Sequence, residues 1–200
     1  MTKNIDYFFG IGSPWAYIGQ DLFKEIAARH GASIRPMLIP LVEENGGIYS
    51  KNRPDARRNY WLKDLKRWAF IRGKTLNFEN RAALSDPTSA AFVIIAAQLQ
   101  GLDWLKLTDA YQLAFWSHAQ DIGNSKVRQK ITTEAGFDAT KLEILAKEED
   151  VQALWKANYT EAKEAGVFGF PTFRYEDELY WGQDSLPFLE LHIKGEKIET

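Results

Sequence analysis

The stretch FFGIGSPWAYIG, Phe8 to Gly19, decides how this chain folds. An aromatic run reaches Gly10 and Gly12, Ser13-Pro14 follows, and a helical pattern starts at once. Ile5 to Ile11 is apolar enough to predict a buried strand. Trp15, Ile18, Leu22, Phe23 and Ile26 then recur at three- and four-residue spacing, one face of a helix that His30-Gly31 should stop. Ala32 to Ile39 predicts a second strand, closed by Pro40. A serine before a proline at a helix start is an ordinary N-cap with proline at the first helical position. The same geometry also puts a hydroxyl beside unpaired N–H groups at the positive end of the helix dipole, a place that suits an anion.

The middle of the chain reads differently. From about Pro54 to Gly166 the pattern is helical. Trp61, Leu65, Trp68 and Ala69 form one stripe, and Asp86-Pro87 starts a helix whose Ala91–Leu99 segment is apolar all round. Leu105 to Trp116 follows, then short helices reaching Ala165. The end returns to β: Pro171–Tyr175, a turn at Glu176-Asp177 and Glu178–Trp181 predict a hairpin, and Ser185–Ile193 a final helix. The order is βαβ, helical block, ββα. We therefore expect an α/β fold in which residues 1–45 and 166–200 complete one sheet domain around a helical insertion, 46–165.

Composition removes several function classes. The chain has 200 residues, a net charge of -2 and no cysteine. A real core is possible at 45% hydrophobic residues. No basic balance favours a nucleic-acid partner. Without cysteine there is no disulfide, no thiolate nucleophile and no sulfur ligand, so any thiol must come from outside the chain. His30, His118 and His192 fit no metal spacing. No secretory h-region follows Met1-Thr2-Lys3-Asn4, no apolar run is long enough to span a membrane, and Lys197-Ile198-Glu199-Thr200 carries no targeting signal; a cytoplasmic protein is expected.

The segments GSPWAY (12–17), KNRP (51–54), YWLKDLKRWA (60–69), GVFGFPTF (166–173) and YWGQDSL (180–186) carry a resemblance over about residues 5–193. In this order and spacing they resemble the 2-hydroxychromene-2-carboxylate isomerases and the related kappa-class glutathione transferases, which are DsbA-like thioredoxin folds with a helical insertion. Thiol-disulfide oxidoreductases of that fold hold Cys-x-x-Cys where Ser13-Pro14-Trp15-Ala16 stands here. The resemblance implies glutathione as cofactor, a small aromatic substrate and a homodimer. It implies that Ser13 stabilises the glutathione sulfur and that Asn52, with Arg53 beside it, touches glutathione or substrate. It further implies that the backbone of Phe170, before a cis-Pro171, pairs with the cysteinyl unit, and that Asp184 and Ser185 hold the γ-glutamyl end. For Asp184, simple N-capping accounts for the same residue. Trp15 and Tyr60 lie on the motifs facing the implied cleft and are expected to line an aromatic pocket. Tyr60, Asp64 and Arg67 share a helical face, either as a structural polar cluster or with Arg67 toward a substrate carboxylate.

The implied activity is a glutathione-dependent cis–trans isomerisation. A kappa-like transferase or peroxidase, and a non-catalytic protein binding a partner along the Phe170 edge, are the alternatives. The chain departs from the isomerase pattern at Gly10, commonly acidic, at Ser185, commonly arginine, and in lacking prolines near Gly73-Lys74-Thr75 and Phe78-Glu79.

Overall fold

Alternation along the first strand organises the core. In the computed structural model, which describes residues 3–79 and 81–196 (Ala82 by its backbone alone), β1 spans Asn4–Phe9. The two terminal stretches expected to carry no targeting signal lie partly or wholly outside the described residues: Met1-Thr2 and 197–200. Ile5, Tyr7 and Phe9 point to one face of the sheet, Asp6 and Phe8 to the other, as the period of two requires. Tyr7 stacks on Phe9 at 4.1 Å and on Phe173 at 5.4 Å, and Phe23 tilts against both Tyr7 and Phe173. Each such buried ring contributes roughly 1.5–3 kcal/mol.

The four strands β1, β2 (Ser33–Leu38), β3 (Thr172–Tyr175) and β4 (Glu178–Trp181) form one mixed sheet in the order β2-β1-β3-β4. β1 and β2 run parallel, joined through α1 (Pro14–Arg29); β3 is antiparallel to β1 and β4 to β3. The α1 helix ends at His30, and Gly31 takes the left-handed conformation, φ 61°. The chain thus has a thioredoxin-like sheet whose two halves come from distant segments.

Between them lie α2 (Asp55–Ile71), α3 (Thr88–Leu99), α4 (Trp104–Trp116), α5 (Ser125–Glu134), α6 (Ala139–Leu145) and α7 (Glu149–Glu164). Side-chain oxygens of Asp103, Asn124 and Asp138 cap α4, α5 and α6 by accepting from first-turn N–H groups. α3 is buried from Ala90 to Ala97 save Phe92, packs on α4, α6 and α7, and so needs no polar face.

α1 and α8 (Leu186–Ile193) cover the Tyr7 face of the sheet. α7 covers the other: Ala162 packs with Phe8, Met37, Ile39, Val42 and Val167. On that face Asp6 accepts from Arg35 Nε at 2.6 Å and Arg174 Nε at 2.8 Å, and both guanidiniums also reach Glu161 of α7. No helix among the described residues is long and apolar enough to cross a membrane.

Candidate active site

The junction between β1 and α1 opens the site. Ser13 N–H donates to the Gly10 carbonyl at 2.9 Å, closing a turn that aims α1 back across the sheet. Ser13 is the N-cap, with extended backbone, and its Oγ accepts from the Ala16 N–H at 3.2 Å. Pro14 brings no N–H, so the Trp15 amide is the donor left open in the first turn. The Ser13 hydroxyl has no acceptor for its own proton among the described residues, so it can donate to a guest.

Beside this turn, the Phe170-Pro171 peptide is cis, as the family resemblance implies. Among the described residues, neither the N–H nor the C=O of Phe170 has a hydrogen-bond partner, because β3 begins two residues later. The Phe170 ring sits where a side chain at position 10 would go: a Cβ built on Gly10 would be 3.1 Å from it. Gly169 is equally constrained, since its Cβ would fall 2.4 Å from the Trp181 indole nitrogen, and Trp181 packs in turn on Phe168 at 4.8 Å.

Together these residues form one wall of a cleft of about 960 Å³. Residues from the helical block complete the lining: Arg53, Arg57, Trp61, Arg81, Phe115 and Trp116. Lys51 joins the other three cations at the cleft, and the one carboxylate on its lining, Asp86, is occupied by the Thr88 N–H at 2.8 Å and the Thr88 hydroxyl. Burial, then the nearby charge of Arg57, lowers the pKa of Arg53, and burial pulls that of Arg81 down to about 10. Arg53 Nε and the indole nitrogens of Trp61 and Trp116 are buried donors without an acceptor among the described residues. An uncompensated cationic, aromatic cleft favours an anionic, aromatic guest.

Of the residues expected from the sequence, Ser13, Trp15, Arg53 and Phe170 line this cleft. Tyr60 does not. It is 61% exposed, because the cleft-facing side of α2 runs through Arg57 and Trp61, and one residue on a helix turns the side chain by about 100°. The Arg67 guanidinium lies over the Tyr60 ring at 5.9 Å, on that outer surface. Asn52 is exposed between the lining residues Lys51 and Arg53. Asp184 and Ser185 follow Trp181 outside the lining, and Ser185 Oγ donates to the Trp181 carbonyl at 2.6 Å. Arg57, Arg81, Phe115 and Trp116 were not singled out for the site by sequence. Arg57 lay four residues before Trp61 on the same helical face, a signal that could have found it. Arg81 sits in an irregular stretch and acquires its place only through contact with the end of α4.

The family described as the DSBA-like thioredoxin domain matches residues 4–194. A 2-hydroxychromene-2-carboxylate isomerase of Sphingobium xenophagum is 30% identical over 197 residues, covering 96% of this chain and 99% of that protein. A solved 2-hydroxychromene-2-carboxylate isomerase superposes with a TM-score of 0.79 at 23% identity, covering 96% of this chain and 95% of the other. The cytosolic disulfide reductase DsbM of Pseudomonas aeruginosa, solved with GSH, superposes with a TM-score of 0.70 at 19% identity over 96% of this chain and 99% of its own.

Proposed function

Because the chain belongs to the family of DSBA-like thioredoxin-domain proteins that includes the 2-hydroxychromene-2-carboxylate isomerases, we propose that it is a glutathione-dependent cis–trans isomerase of such substrates. A 2-hydroxychromene-2-carboxylate is a cyclic hemiketal, and its opening leaves a phenol bearing an alkene conjugated to an α-keto acid. When bound, glutathione supplies a thiol that adds reversibly to the conjugated carbon, so that the former double bond can rotate before elimination restores the thiol.

The chain's residues hold and ionise that thiol. The observation that carries the reading is the Ser13 hydroxyl, whose oxygen accepts from Ala16 N–H and which has no acceptor among the described residues, at the N-terminus of α1. Lowering a thiol pKa from about 8.5 by about two units takes roughly 2.7 kcal/mol. One charge-assisted hydrogen bond of about 1.5–3 kcal/mol and a dipole contribution of up to about 1 kcal/mol supply it. The unpaired N–H and C=O of Phe170 offer a strand edge to the cysteinyl backbone. Asp184 and Ser185, beyond Trp181, receive the γ-glutamyl end, and Asn52 and Arg53 approach from the helical block. Trp15 contributes apolar surface to the substrate. A chain of this fold that takes up glutathione has a precedent in DsbM.

The test is to follow alkene isomerisation of the ring-opened substrate by absorbance, with and without glutathione, while counting free thiol. The expected result is a rate that saturates with glutathione, total thiol unchanged at the end. An equal rate without glutathione refutes the reading; stoichiometric thiol loss assigns a transferase instead.

A further inference from the structure

Arg81 is a charge without a counter-charge. It opens the short 3₁₀ turn Arg81–Ala83 between α2 and α3, and it is partly buried. Its Nη1 donates to the Phe115 carbonyl at 2.8 Å, at the C-terminus of α4. Its guanidinium lies over the Trp116 ring at 3.7 Å and the Phe115 ring at 4.3 Å. No carboxylate pairs with it among the described residues, in contrast to Arg35, Arg128 and Arg174, each of which holds an acid. A helix-end carbonyl and two rings fix the plane of the guanidinium and leave the rest of its fork open.

Its position relates it to Ser13. A Cβ built on Gly12 would lie 3.9 Å from the Phe115 ring, so that one ring separates the Arg81 guanidinium from the Gly12-Ser13 turn. We propose that Arg81 is the carboxylate anchor of the aromatic substrate, taking the carboxylate on its open fork while the substrate's apolar frame lies along Phe115 and Trp116. The orientation of substrate toward Ser13 rests on the isomerase reading above; the anchor itself does not. Guanidinium and carboxylate match bidentately, and a fork already fixed by its neighbours loses little freedom on binding. Burial already depresses the Arg81 pKa, and a bound carboxylate relieves that cost.

The test uses two stable probes, 2-hydroxycinnamate and its neutral amide, titrated calorimetrically into wild type, Arg81→Met and Arg81→Lys, with glutathione thiolate absorbance recorded on the same proteins. Wild type is expected to prefer the carboxylate by at least about tenfold, and Arg81→Met to lose roughly 10–100-fold in carboxylate affinity while binding the amide as before. Its glutathione titration should match wild type. Arg81→Lys, which keeps the charge and loses the fork, should fall between them; should Arg81→Met fail to fold, a lower carboxylate-to-amide ratio in Arg81→Lys supports the anchor and an unchanged ratio overturns it. An unchanged ratio in a folded Arg81→Met overturns it too, since capping α4 would not discriminate the probes. Loss of glutathione binding with carboxylate affinity retained overturns it by assigning Arg81 to glutathione. If wild type binds no glutathione yet shows the Arg81-dependent preference, the isomerase reading fails and the anchor stands.

Discussion

Replacing Ser13 separates a structural job from a chemical one, because the two use different parts of the hydroxyl. The oxygen caps α1 through a 3.2 Å bond from Ala16 N–H, long for such a contact, so Ser13→Ala should destabilise by only about 0.5–1 kcal/mol. Ser13→Gly, which suits an N-cap position, should cost a few tenths of that order. The proton is what a bound thiolate would use. Losing that bond removes about 1.5–3 kcal/mol of preference for the ionised sulfur, or one to two pKa units at about 1.36 kcal/mol each. The α1 dipole and the open Trp15 amide remain, so the bound thiol in Ser13→Ala should titrate a little below its free value of about 8.5. The sign for activity follows: a raised thiol pKa starves the mutant of thiolate at neutral pH, and raising the pH restores it. The rate deficit should be roughly 3–25-fold near pH 7 and shrink toward pH 9. Thiolate absorbance near 240 nm against pH, with urea unfolding of each variant, reads both effects. Ser13→Gly should be nearly as stable as wild type yet as defective as Ser13→Ala. A folded Ser13→Ala whose bound thiol keeps the wild-type pKa would refute the reasoning.

Two further changes probe the frame around the site. Burial raises the Asp6 pKa, but hydrogen bonds and charge from Arg35 and Arg174 outweigh it and leave the carboxyl lowered; Arg35 does the most to lower Glu161. Depressed carboxyls add stability above about pH 4, lost as pH falls through their folded pKa values. Asp6→Asn should therefore destabilise by about 1–3 kcal/mol at neutral pH, below the ~3–5 of a fully buried broken pair because both arginines keep Glu161. The difference should narrow in acid, and a melting-temperature gap that is constant from pH 7 to pH 3 contradicts it. Gly19→Ala should destabilise by about 1–2 kcal/mol in urea titration, although helix propensity alone predicts about 1 kcal/mol of gain. The added Cβ would lie 2.4 Å from Gln183 Cβ, and a neutral or stabilising result would mean that the 183–185 turn is not held against α1.

Much of this was legible because local chemistry and tertiary role coincide. Ile5, Tyr7 and Phe9 alternate with Asp6 and Phe8, and the sheet uses that alternation as written. Ser13-Pro14 restricts the backbone where it stands, so the N-cap needed no distant contact to be expected, whereas the cis bond at Phe170-Pro171 was expected from the family resemblance. What escaped depended on distance. The helical pattern reaching Ala165 revealed a helix but not that α7 would close the far face of the sheet. Tyr60 and Trp61 differ by one residue, and only the packing of α2 decides which of them meets the cleft. Arg81 carried no sequence signal at all, since its significance comes from the last residues of a helix more than thirty positions away.

The cleft's two walls also have separate origins in the chain, and that separation bears on what each can change. Gly10 to Trp15, Phe168 to Phe170 and Trp181 belong to the sheet and its junctions, whereas Lys51, Arg53, Arg57 and Arg81 all fall within 46–165. The first wall offers a free hydroxyl proton, an open amide and an unpaired strand edge, groups suited to a thiol and a peptide backbone. The second offers uncompensated cations on aromatic faces, which suit an anion with a ring. A chain without cysteine carries no thiol of its own on the first wall, so on the proposed reading the hydroxyl and the open amide there serve a sulfur anion from outside. On the proposed reading, substitutions at Arg81 should therefore act chiefly on which anionic electrophile is taken, and substitutions at Ser13 chiefly on the bound thiol's pKa. Selectivity and nucleophile activation would then be separable by mutation, because Ser13 and Arg81 share no hydrogen bond among the described residues.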